Sequence, residues 1–138
     1  KKAGVSRVSI GIQSFQDEEL KAIKRRPRQN TIYQALDDIR QMDFPYFNID
    51  LIYGIKGQTV ESFLYSLEEA LRFQPNELFI YPLYVRQGTG ITEREPDDVC
   101  FRIEPLASYC KQKAFCKHPC GVSFIIRPLT RKSHVAMK

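Results

Sequence analysis

The chain has 138 residues, 43% of them hydrophobic and 27% charged, which suits one soluble domain with a real core. No apolar run approaches the ~18 residues that span a bilayer and no secretory signal pattern is present, so no membrane partner is expected and the cytoplasm is the default location. The net charge of +5 includes a local knot of Lys21, Lys24, Arg25, Arg26 and Arg28, without the aromatic-interleaved basic stripe of a nucleic-acid surface, so nucleic acid is not an expected partner.

The first predicted element is a strand at Val8–Ile12, short, β-rich and bounded by polar residues. Asp17–Lys24 reads as a short helix with Asp17, Glu18 and Glu19 in its first turn, where the helix dipole favours acids, and with Pro27 as its stop. Asn30 is the predicted N-cap of a second helix, in which Ile32, Ala35, Leu36 and Ile39 share one face. Phe44-Pro45 closes that segment, and Phe47–Tyr53 is a second strand stopped by Gly54. Thr59 opens a third helix with Phe63, Leu64, Leu67, Ala70 and Leu71 on its apolar face, and Pro75 ends it. Leu78–Tyr81 is a third strand, followed by Pro82.

Beyond Ile91 the pattern weakens. A helix over Val99–Ala114 has to carry Pro105, at a cost of about 3 kcal/mol in a helix interior. Val122–Ile126 reads as a fourth strand, and the basic, aperiodic stretch from Arg127 is expected to fray. Two units result: residues 1–91 with regular elements, and residues 92–138 as a divergent, irregular tail with a helix and a short strand. The order strand, helices, strand, helix, strand is that of parallel β/α units. It fits an incomplete α/β barrel, and periodicity alone does not separate that from a doubly wound sheet. The chain begins Lys1-Lys2-Ala3-Gly4, with no initiator Met, and is expected to be the C-terminal piece of something larger, cut upstream or read from a truncated gene. An open half-barrel would expose sheet edges and be marginally stable alone.

In parallel β/α sheets, ligands sit at the C-terminal ends of the strands. That rule selects Gly11, Gln13 and Ser14 after the first strand, Asp50, Tyr53 and Gly54 on or after the second, and Tyr81, Leu83 and Tyr84 after the third. Gln13 reads either as a loop amide bound to backbone or as a reader of a ligand's polar edge. Asp50 interrupts the apolar run Ile49-Asp50-Leu51-Ile52, and a buried carboxylate needs a partner: a nearby Arg or Lys, or a ligand hydroxyl or amine. Arg25 reads either as a solvated helix-end cation or as a fork for a carboxylate.

Three segments then carry a resemblance. They are Ala3–Phe15 with Ser9-Ile10-Gly11-Ile12-Gln13-Ser14-Phe15, Asn48–Gly54 continued by Gly57-Gln58-Thr59, and Tyr81-Pro82-Leu83-Tyr84-Val85 followed by Gly88-Thr89. In this order and spacing the chain resembles the radical S-adenosylmethionine (SAM) enzymes of the oxygen-independent coproporphyrinogen III oxidase type, over roughly residues 3–91. The resemblance implies a partial (β/α)6 radical SAM barrel, with strands four to six and their flanking helices present. It implies a parent enzyme that holds a [4Fe-4S] cluster and SAM, generates a 5′-deoxyadenosyl radical, and acts on a small-molecule, porphyrinogen-like substrate. Residue by residue, Gln13 matches the family glutamine that contacts SAM, Arg25 the arginine that binds the SAM carboxylate, and Asp50 the aspartate near SAM.

The family's cluster motif, C-x3-C-x2-C, does not occur in the sequence. Cys116 and Cys120 have the x3 gap but no third cysteine at x2, so the chain alone is expected to lack activity. Cys100, Cys110, Cys116 and Cys120 are separated by nine, five and three residues, with no C-x2-C pair of the usual zinc kind. They read as reduced thiols. A different class of function stays open beside the enzyme: a non-catalytic module that holds a metal through Cys110, Cys116, His118 and Cys120.

Overall fold

Alternation of apolar and polar residues along short β-branched runs gives the sheet, and helical apolar stripes cover one of its faces. The computed structural model describes residues 4–26, 29–85, 91, 116–117 and 124–126. In chain order the elements are β1 (Arg7–Gln13), α1 (Asp17–Ala22), α2 (Gln29–Gln41), β2 (Tyr46–Tyr53), α3 (Val60–Arg72), β3 (Glu77–Pro82), β4 (Cys116–Lys117) and β5 (Phe124–Ile126). Among the described residues the sheet order is β1-β2-β3-β5-β4. β1, β2 and β3 run parallel, as the crossover spacing predicts, in a register that sets Gly11 beside Asp50 and Asp50 beside Phe79.

Ile12, Phe47, Ile49, Leu51, Tyr53, Leu78 and Ile80 point to the helices and pack with Phe15, Leu36, Phe63, Leu67 and Ala70 in one core. Burying such side chains contributes about 1.5–3 kcal/mol each before entropy is counted. α3 starts where Thr59 predicts: the Thr59 hydroxyl accepts from the Ser62 amide while the Ser62 hydroxyl accepts from the Thr59 amide. The Tyr33 hydroxyl donates to Glu69 at 2.8 Å and ties α2 to α3.

Several ends differ from the expectations. α1 stops at Ala22, because Lys24 turns left-handed at φ 58°. The Lys24 amide then donates to the Lys21 carbonyl at 2.9 Å and the Arg25 amide to the Leu20 carbonyl at 2.8 Å. This is a Schellman closure with a lysine where glycine is usual. Pro27 lies outside the described residues and is not what ends the helix. Asn30 falls inside the first turn of α2, which begins at Gln29, so it is not the N-cap. α3 ends at Arg72, before Pro75, with Gln74 left-handed at φ 52°. In the tail, β5 occupies part of the expected Val122–Ile126 strand but pairs antiparallel with β3, and β4, which periodicity does not announce, pairs antiparallel with β5. The helix expected over Val99–Ala114 lies outside the described residues.

Candidate functional site

The sheet face opposite the helices is polar. Strand alternation puts Arg7, Ser9 and Gly11 of β1, Asn48, Asp50 and Ile52 of β2, and Glu77, Phe79 and Tyr81 of β3 on that open face. At its N-terminal end Arg7 bridges to Glu77 at 2.8 Å and lies over the rings of Tyr46 and Phe79 at 5.5 and 6.0 Å. Phe79 and Tyr81 stack along β3 with ring centroids 6.1 Å apart.

Gly11 is where the three predicted site residues meet. The β1–β2 register shifts between Gly11 and Gln13, and Gln13 sits at φ 74°, a conformation that costs a non-glycine residue energy. Its side chain folds back over Gly11, so that a Cβ at residue 11 would come within 2.5 Å of Gln13 Nε2. Arg25 reaches the same place from the Schellman turn, with Nη1 donating to the Gly11 carbonyl over a weak 3.4 Å. Asp50 is the strand neighbour of Gly11 on β2. The Gln13 amide and the Arg25 guanidinium therefore both come to Gly11, and Asp50 stands at the same register on the neighbouring strand. Such a set suits a ligand that carries both a carboxylate and amino or hydroxyl groups.

Asp50 is half-buried, and among the described residues no Arg or Lys forms an ion pair with it. Its partners are neutral: Asn48 Nδ2 donates to Oδ1 at 3.0 Å and the Ser9 hydroxyl approaches Oδ2 at 3.5 Å. Burial raises its carboxyl above the ordinary value, against the hydrogen bonds from Asn48 and Ser9 and the charge of Arg7, which act the other way. Tyr81 is raised too, first by burial and then by the Asp50 charge. Asn48 itself is 2% exposed, and its Oδ1 has no hydrogen-bond partner among the described residues. Leaving such an acceptor unmatched costs about 1–3 kcal/mol.

Glu19 is the residue that sequence reasoning missed. It is 4% exposed, and its carboxylate accepts from Ser14 Oγ at 2.6 Å, Gln58 Nε2 at 2.8 Å and Ser62 Oγ at 2.5 Å. Gln58 in turn accepts from the Gly54 amide and donates to the Ile52 carbonyl, and Ser66 accepts from the Phe15 amide. The cluster ties the loops after β1 and β2 together beneath the rim, with Glu19 beside the N-terminal turn of α3, where the dipole favours an anion. Acid in the first turn of α1 was visible in the sequence; its partners, up to 43 positions away, were not.

A cleft of about 160 Å³ opens at the opposite end of the sheet, lined by Ile39, Phe44, Phe47, Phe73 and Asn76 among others, and none of Gln13, Arg25 or Asp50 reaches it. Among the described residues no group of three or more His, Cys, Asp or Glu could hold a metal ion. Cys100, Cys110, His118 and Cys120 lie outside the described residues, and so do Gly88 and Thr89. Among the described residues no helix is long and apolar enough to cross a membrane.

Comparison with known proteins bears on the family and the fold. Residues 1–70 match the family model of the radical SAM superfamily. The oxygen-independent coproporphyrinogen III oxidase of Thermostichus vulcanus is 36% identical over 81 residues, covering 59% of this chain and 25% of that protein. The heme chaperone HemW of Escherichia coli K12 is 34% identical over 95 residues, covering 69% of this chain and 25% of that protein. The chain thus spans about a quarter of the length of these curated relatives. The solved coproporphyrinogen III oxidase HemN of Escherichia coli, described as a radical SAM enzyme, superposes with a TM-score of 0.75 at 24% identity, over 94% of this chain and 31% of that one. That likeness supports the α/β fold with its parallel strands. By the family match over half of its length, the chain belongs to the radical SAM superfamily.

Proposed function

We propose that the chain forms the SAM-facing part of a radical SAM enzyme of the coproporphyrinogen III oxidase kind, with β1, β2 and β3 as strands four to six of a (β/α)6 barrel. Gln13, Arg25 and Asp50 are its ligand contacts. The observation that carries this reading is their convergence at Gly11, on the strand ends where such folds bind ligands. The residues suit SAM chemically. Arg25 offers a fork to a carboxylate, the Gln13 amide matches polar edges, and the anionic Asp50 takes an amino or hydroxyl donor.

SAM and a [4Fe-4S] cluster, when bound, would supply radical hydrogen-abstraction chemistry on a small-molecule, porphyrinogen-like substrate, with Gln13, Arg25 and Asp50 holding the SAM. The role proposed for Gln13, Arg25 and Asp50 is to bind and orient SAM. Calorimetric titration of the 138-residue chain with SAM tests this. Saturable binding is expected, weakened about tenfold or more by Asp50→Ala and by Arg25→Ala, each of which removes a charge-assisted contact. Equal affinity in the wild type and both variants would overturn the assignment.

A further inference from the structure

We infer that Asn48, with Ser9 behind it, is a positioning residue that holds the Asp50 carboxyl through hydrogen bonds to both of its oxygens and turns its remaining lone pairs toward the ligand. The inference deepens the proposed SAM site and rests on Asp50 being a ligand contact.

The geometry is a triangle across β1 and β2. Asn48 Nδ2 has two hydrogens and spends both, one on Ser9 Oγ at 2.7 Å and one on Asp50 Oδ1 at 3.0 Å. Ser9 Oγ, having accepted from Asn48, has its own hydrogen left for Asp50 Oδ2, at a weaker 3.5 Å. The cost of this arrangement is visible, since Asn48 Oδ1 stays buried with no partner among the described residues. Turning the amide over would give Oδ1 the Ser9 hydroxyl as a donor. It would also set oxygen against oxygen at Asp50. The carboxylate therefore decides the amide's orientation, and the unmatched oxygen is what the protein accepts in return. A strand position needed only for packing would hold an apolar side chain without any orphaned acceptor.

The other charged and titratable groups around Asp50 do not replace this contact. Arg7 on β1 lowers the Asp50 carboxyl only through its charge and is engaged by Glu77 of β3. Tyr81 on β3 faces Asp50 as a neutral phenol whose own ionisation Asp50 opposes. Arg25 is bound to the Gly11 carbonyl.

The test is the titration of the Asp50 carboxyl, followed by 13C NMR on the 138-residue chain, with the pH dependence of SAM affinity measured beside it. In Asn48→Ala the Asp50 carboxyl is expected to titrate at higher pH than in the wild type, and in Ser9→Ala to move the same way by less. Ser9→Thr keeps the hydroxyl and restores the wild-type curve. The acid limb of SAM binding moves up with it, so that affinity at pH 5 falls by roughly tenfold in Asn48→Ala. Ser9 is exposed, so Ser9→Ala keeps the fold and decides the matter if Asn48→Ala does not fold. An Asp50 titration unchanged in both variants overturns the inference. A wild-type chain that binds no SAM overturns the proposed function instead, and the carboxyl titration still judges Asn48 and Ser9.

Discussion

Glu19 and Asp50 both carry a carboxylate into the protein, one behind the strand ends and one on the open face of the sheet, and their surroundings differ in kind. Around Glu19 the donors of Ser14, Gln58 and Ser62 converge on both oxygens. Nothing is left for a ligand to supply, and the cluster locks loops together. Around Asp50 the donors are Asn48 and a longer contact from Ser9, the carboxyl is raised by burial, and the neighbouring buried Asn48 Oδ1 has no partner among the described residues. A polar cluster complete in itself is architecture. One with fewer donors, toward the strand ends where β/α folds bind ligands, is where the proposed ligand would add its own.

The largest effect is expected at Glu19. Glu19→Ala strips the shared acceptor from Ser14, Gln58 and Ser62, and should cost about 2–4 kcal/mol in a denaturant titration. A loss below ~1 kcal/mol would mean that the cluster is not what holds the rim. Asp50 should behave in the opposite sense. Its folded carboxyl lies above the ordinary 3.8, so the fold favours the neutral form. That contribution is fully present below the ordinary carboxylate range and is lost as pH rises through the folded value. Asp50→Asn should therefore be more thermally stable than the wild type at pH 7, by a smaller margin than the Glu19 loss, with the gap closing near pH 3. A variant less stable at pH 7 would make Asp50 a structural acid like Glu19.

Most of the frame was legible in the sequence. Apolar patterning marks β1, β2, β3, α2 and α3, first-turn acids mark α1, and Thr59 marks the start of α3 through its own hydroxyl. The ends were less legible. Pro27 and Pro75 look like the helix stops, yet Lys24 and Gln74 turn the chain first, and a left-handed lysine or glutamine has no sequence signature. The antiparallel pairing of β5 was hidden because a short apolar run carries no sign of its direction. Within the site, Asp50 stood out as a charge in an apolar strand, while Asn48, two positions earlier and on the same face, drew no notice. Its importance lies in a contact to Ser9, 39 positions away on a different strand. The meeting of Gln13 and Arg25 at Gly11 was equally invisible, since it depends on a bulge and a helix end rather than on spacing.

Gly11→Ala adds one methyl group where Gln13 and Arg25 come to the β1 backbone, so SAM affinity in this variant reports on the proposed site. The Gly11 backbone is not left-handed, and what a Cβ would strike is the end of the Gln13 side chain, which can move aside. The fold should stay within about 0.5 kcal/mol of the wild type. SAM affinity should fall by roughly tenfold as the Gln13 amide is pushed off the open face. Unchanged affinity in a folded Gly11→Ala chain would contradict the account and move the ligand away from this face of the sheet.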